Sequence, residues 1–124
     1  MKTVGIYISL VVGLLLNSSA SYADGNKLLQ QCSEFVKIMD GKTTDAGYGA
    51  GFCLGLVKGS TFTLMFVREI SGNEAAINTC IPESVNHGQA IRVVLAYLRA
   101  NPASLYENEA GLTLLAFREA FPCD

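Results

Sequence analysis

Apolar residues along this chain recur at three- and four-residue steps, and the strict alternation that a half-buried strand needs is almost absent. Leu28, Leu29, Cys32, Phe35, Val36 and Met39 form a first such stripe, with Asn26 placed to cap it and Gly41 to break it. The polar, glycine-bearing stretch from Lys42 to Gly49 reads as a loop, and a longer second helix is expected from about Ala50 to Ile70. That helix carries Gly51, Gly55 and Gly59 at four-residue spacing. Each interior glycine costs roughly 0.8–1 kcal/mol relative to alanine, so three on one stripe predict a neighbouring backbone packed too close for side chains. Ser71-Gly72-Asn73 ends the helix.

Further along, Asn86 and Gln89 make an Asn/Gln version of the capping box for a third helix. Its face is Ile91, Val94, Leu95 and Leu98, with Arg92 and Arg99 pointing elsewhere, and Asn101-Pro102 stops it. A fourth helix, starting between Ser104 and Asn108, carries Leu112, Leu115, Ala116, Phe117 and Ala120 ahead of Phe121-Pro122-Cys123. The pattern predicts an all-α fold, a compact bundle of about four helices arranged as two antiparallel hairpins.

The chain's first segment changes how its composition reads. Lys2 is a short positive region, Val4 to Leu16 is a run dominated by apolar residues, and Ser21-Tyr22-Ala23 sets small residues at −3 and −1 of a cleavage site. Residues 1–23 are expected to be a secretory signal peptide cleaved after Ala23, leaving residues 24–124 as one domain. The run is shorter than the ~20 apolar residues of a membrane span, so no stable membrane insertion is expected after cleavage. The glycine stripe of the second helix resembles the small-residue ridge of membrane helices. Lys58 in its middle makes a soluble core helix the better reading.

Export also gives the four cysteines a meaning. Cys32, Cys53, Cys80 and Cys123 contain no C-x-x-C pair, which leaves zinc ribbons and thioredoxin-like redox sites unsupported and structural disulfides favoured. In a helical hairpin, facing residues lie about equally far from the turn. The midpoint of Cys32 and Cys53 falls in the Lys42 loop and that of Cys80 and Cys123 at Asn101-Pro102. The expected bridges are therefore Cys32–Cys53 and Cys80–Cys123, each worth ~3–4 kcal/mol by loop entropy.

Candidate chemistry is sparse. A formal charge of −2, or −3 once Lys2 is removed, offers no basic patch for nucleic acid. The one histidine, His87, falls in the first turn of the third helix with no Ser, free Cys or Asp tied to it by a motif. Glu107 and Glu109 flank the start of the fourth helix, where they suit its dipole better than they suit a glycosidase pair. No phosphate-binding glycine loop follows a strand. No catalytic residue, metal site or cofactor is expected.

One ordered set of residues resembles a known family. It runs Gly25-Asn26-x-Leu28-Leu29-x-x-Cys32, Gly51-Phe52-Cys53-Leu54-Gly55-x-x-x-Gly59 and Cys80-x-Pro82-x-x-Val85-Asn86-x-Gly88-Gln89. Tyr97-Leu98-x-x-Asn101-Pro102 and Ala120-Phe121-Pro122-Cys123 complete it. The set resembles the Rap/Tai immunity-protein family of type VI secretion across nearly the whole mature chain. Asn101 stands where relatives often have His, and Ser84-Val85-Asn86 where they often have Gly-Val-Thr. The resemblance implies a periplasmic, all-helical, commonly dimeric protein that binds a peptidoglycan amidase toxin of the NlpC/P60 type and blocks its cysteine active site.

Helix faces are needed for the core, so the toxin contact is expected on a polar connector. Two connectors qualify, Ser71 to Thr79 and Ala103 to Asn108. The candidate contacts on and beside them are Glu69, Asn73, Glu74, Tyr106, Glu107 and Asn108, with Tyr106 as an aromatic anchor. A periplasmic chaperone or acid-stress binder, exposing apolar surface as pH falls, is the competing class. A small cell-wall enzyme ranks last.

Overall fold

The computed structural model describes residues 24–72 and 77–124. The expected signal peptide lies outside the described residues, as do Asn73 and Glu74. Four helices follow one another: α1 (Gly25–Met39), α2 (Tyr48–Ser71), α3 (His87–Ala100) and α4 (Glu109–Ala120), with a 3-10 turn at Pro102–Ser104. Among the described residues the sole β-type pairing is an isolated antiparallel bridge between Asp24 and Asn108. The predicted all-α bundle is therefore the fold.

That bridge explains how the chain enters α1. Asp24, not Asn26, is the N-cap: it is extended, and its side chain accepts a hydrogen bond from the Lys27 N–H at 3.1 Å. Asn26 lies inside the first turn, where its Nδ2 donates to the Leu105 carbonyl at 3.1 Å. Gly25 donates its N–H to the Glu107 carbonyl at 3.1 Å and is buried. A Cβ there would collide with Leu112 and come within 3.0 Å of the Leu105 oxygen, so the close approach of two backbones requires glycine. The start of the domain is thereby pinned to the α3–α4 connector.

The remaining ends follow local chemistry. Gly41 and Gly72 take positive φ, the latter as the left-handed C-cap of α2. Asn86 caps α3 through the Gln89 N–H at 2.9 Å, which is the Asn half of the predicted capping box. Asn108 caps α4 through the N–H groups of Ala110 and Gly111 at 3.0 and 3.2 Å, fixing the helix start at the late end of the predicted range.

The core gathers Leu28 and Cys32 of α1, Cys53 and Val57 of α2, Ile91, Val94, Leu95 and Leu98 of α3, and Leu112, Ala116 and Phe117 of α4. All four apolar positions assigned to the face of α3 are buried. On α4, Leu115 and Ala120 turn outward, and Thr113, whose hydroxyl donates to the Glu109 carbonyl at 2.9 Å, takes an inner place. Both disulfides join the expected partners. Cys32–Cys53 ties α1 to α2, and Cys80–Cys123 ties the approach to α3 to the tail beyond α4, with Cα–Cα distances of 5.1 and 5.0 Å.

A further expectation fails. Gly51, Gly55 and Gly59 are exposed, and nothing in the described fold lies within 4 Å of a Cβ built on any of them. The buried face of α2 is instead Ala50, Cys53, Val57, Thr61 and Leu64. The disulfide from Cys53 to Cys32 of α1 turns this face toward the core and leaves the glycine face on the opposite side of α2.

Candidate functional site

The described parts of the two polar connectors meet where α2 ends and α4 begins. An open groove of about 470 Å3 is lined there by Leu64 of α2, Ile77 and Thr79, Glu107 and Asn108 ahead of α4, and Gly111, Leu114, Leu115 and Arg118 along it. A second groove of about 520 Å3 is lined by Met65, Arg68, Glu69 and Gly72 of α2 with Ile81 and Glu83. The C-terminal half of α2 supplies a wall to both. Gly72 in one and Ile77 in the other bracket residues 73–76.

The predicted contact residues divide between these features. Glu107 and Asn108 line the first groove and Glu69 the second. Tyr106 lies beside them, 77% exposed, and lines neither. Asn108 already spends its side-chain oxygen on capping α4, so its amide nitrogen is the polar handle left for a partner. Leu114, Leu115 and Arg118 were not among the candidates. Leu114 falls outside the predicted core stripe of α4, which was the available signal for its lining a surface groove, whereas Leu115 fits that stripe and gave no such signal.

Glu107 and Arg118 bring opposite charges to a groove that is also lined by Leu64, Leu114 and Leu115. Glu109 does not join Glu107 in a cleft. It is buried in the first turn of α4 with its Oε2 lacking a hydrogen-bond partner. Burial pushes its carboxyl above the usual range, Lys27 opposes that shift, and Asp24 adds to it. His87 is exposed in the first turn of α3. No cluster of three or more His, Cys, Asp or Glu able to hold a metal occurs among the described residues.

Comparison with known proteins supplies what this geometry leaves open. The model of the Rap1a immunity proteins matches residues 24–123, from the cap of α1 to the last cysteine. The chain belongs to the Rap1a immunity protein family. No curated protein and no solved structure matches it. As a Rap1a family member the chain is an immunity protein directed against a toxin, a role carried by binding. Paired disulfides and rimmed surface grooves suit that role.

Proposed function

We propose that residues 24–124 form an exported, periplasmic, homodimeric immunity domain that binds a peptidoglycan amidase toxin of type VI secretion and inhibits it. The single observation that carries this reading is the Rap1a family match over residues 24–123, which begins at the residue after the expected cleavage site. Two disulfides support export, because such bonds persist in oxidising compartments. An amidase acting on the cell wall would be met in that compartment. The contact surface we assign is where α2 ends and α4 begins, with Glu107 and Asn108 on the groove of Leu64, Leu114 and Leu115, Glu69 on the second groove and Tyr106 exposed, while the further candidates Asn73 and Glu74 lie outside the described residues.

Titration of the purified protein into NlpC/P60 amidases encoded near its gene, with peptidoglycan as substrate, tests the proposal. Expected is saturable loss of activity near one immunity chain per enzyme, weakened at least tenfold by joint alanine replacement of Glu69, Tyr106 and Glu107. Full amidase activity at saturating protein would overturn the amidase assignment. Inhibition untouched by the triple replacement would overturn the surface alone. The acid-stress reading requires protonation to loosen the core, and the buried carboxylate of Glu109 has the opposite sign, since its neutral form suits burial. Asp40 has the required sign, but it is a surface partner of Arg92, so its protonation frees an ion pair and uncovers no core.

A further inference from the structure

The three exposed glycines of α2 have no explanation among the described residues of one copy. Each weakens the helix relative to alanine, and no atom of the described protein needs the space. They share their face with Phe62, Phe66 and Ile70, which are 72%, 53% and 66% exposed. Gly51-Gly55-Gly59 is a row of absent side chains at four-residue steps, and Phe62-Phe66-Ile70 is a row of large ones at the same steps. One is a groove along the i±4 direction of the helix surface, and the other is the matching ridge.

We propose that two copies of this chain associate through this face, with α2 crossing α2 antiparallel so that the ridge of each copy lies in the glycine groove of the other. A two-fold axis level with the Ser60–Thr61 junction sets Phe62 against the partner's Gly59, Phe66 against the partner's Gly55 and Ile70 against the partner's Gly51. One register fills all three gaps, and the symmetry makes each contact twice. It opposes no like charges, since Lys58 falls level with the partner's Thr63 and Glu69 with the partner's Phe52. Carrying ridge and groove on one helix is the mark of a self-complementary patch, which a toxin or a membrane would not require.

The size is adequate. By the ~150–250 Å2 that an aromatic side chain buries, the exposed parts of Phe62, Phe66 and Ile70 offer roughly 350 Å2 per copy. The glycine backbones and the stems of Lys58, Thr63 and Glu69 bring the pair to about the 1,000 Å2 that a specific interface needs. By length and composition α2 could also cross a membrane, so vesicle binding is a rival outcome. The inference rests on the homodimer stated above and adds its surface and register.

Light scattering on the full chain, expressed for export and purified oxidised, tests both. A dimer is expected, with Phe62→Glu and Gly55→Leu each weakening association at least tenfold. Gly55→Leu is the decisive variant, because it should stabilise the monomer against urea while breaking the pair. Phe62→Cys should form an intermolecular disulfide. Tyr48→Cys should not, because antiparallel crossing separates the two sites by ~37 Å at 1.5 Å rise per residue. A monomer at every soluble concentration would overturn the homodimer itself. A dimer that survives both α2 variants, or a Tyr48→Cys cross-link, would overturn this surface or its direction. Binding to phosphatidylglycerol vesicles would assign the face to a membrane instead.

Discussion

Helices α2 and α3 are both apolar, yet they use their side chains in opposite ways. In α3 the apolar stripe of Ile91, Val94, Leu95 and Leu98 points wholly inward and the arginines point out. In α2 five positions face the core, while Phe62, Phe66 and Ile70 face away from it. A helix apolar on one face is finished by its own fold, whereas one apolar on two faces has a second surface still to cover. Substitutions on the two helices should therefore separate cleanly into folding effects and association effects.

The widest separation is expected between Leu98 and Phe66. Leu98 is 0% exposed, and Leu98→Ala should cost about 2–5 kcal/mol of unfolding free energy in urea, as buried leucine truncations do. Phe66→Ala should change monomer stability by less than about 0.5 kcal/mol, the usual range for a surface position. Equal losses would mean that α2's outer face belongs to the core after all. The next contrast is between two glycines. Gly25→Ala drives a methyl into Leu112 and the Leu105 carbonyl and should destabilise by about 1–3 kcal/mol, the range for overpacking. Gly55→Ala, in open space, should raise helix stability by roughly 0.5–1 kcal/mol in the dissociated protein. A destabilised monomeric Gly55→Ala would show that the stripe is needed inside one copy.

Much of this fold was legible in the sequence because its determinants are local or paired. The stripe of α3, the Asn86 cap, the stop at Asn101-Pro102 and both cysteine pairings depend on spacing along the chain, and each appears in the structure. What escaped were competitions decided by distant residues. Asn26 is a reasonable cap on its own, but the pairing of Asp24 with Asn108 moved the helix start by fixing the backbone first. The glycine stripe predicts a close neighbour, and the described fold places none beside it, because which face of α2 turns inward is set by its contacts with the other helices. Leu115 fitted a helical core stripe, yet it is 38% exposed beside Leu114 in the groove next to Glu107. The candidate contacts are read from polar connectors, whereas the apolar lining beside Glu107 and Asn108 depends on α2 and α4 meeting in space.

The smaller effects concern the start of α4, where the comparison sharpens from helices to single groups. Asn108→Ala removes a side-chain oxygen that accepts from two backbone donors, and a loss of about 1 kcal/mol is expected in thermal or urea unfolding. Asn108→Asp retains the acceptor and should keep most of that stability, which separates the cap from any use of Asn108 in toxin binding.

Next to it, Glu109 should reveal itself only through pH. Its folded carboxyl is raised above the ordinary glutamate value near 4.5, so between the unfolded and folded values the native state holds more protons than the unfolded one. Stability from this group is then fully present below the unfolded value and is lost as pH rises through the folded one. Asp40 on the surface runs the other way, because Arg92 holds its carboxyl below the usual range and its contribution fades as pH falls through that lowered value. Urea midpoints measured from pH 3 to pH 8 should therefore show Glu109→Gln flattening the decline toward neutral pH, and Asp40→Asn flattening the decline at the acid end. If Glu109→Gln instead steepened the loss toward neutrality, the carboxylate would be a stabilising anion at the helix N-terminus, with the dipole outweighing burial.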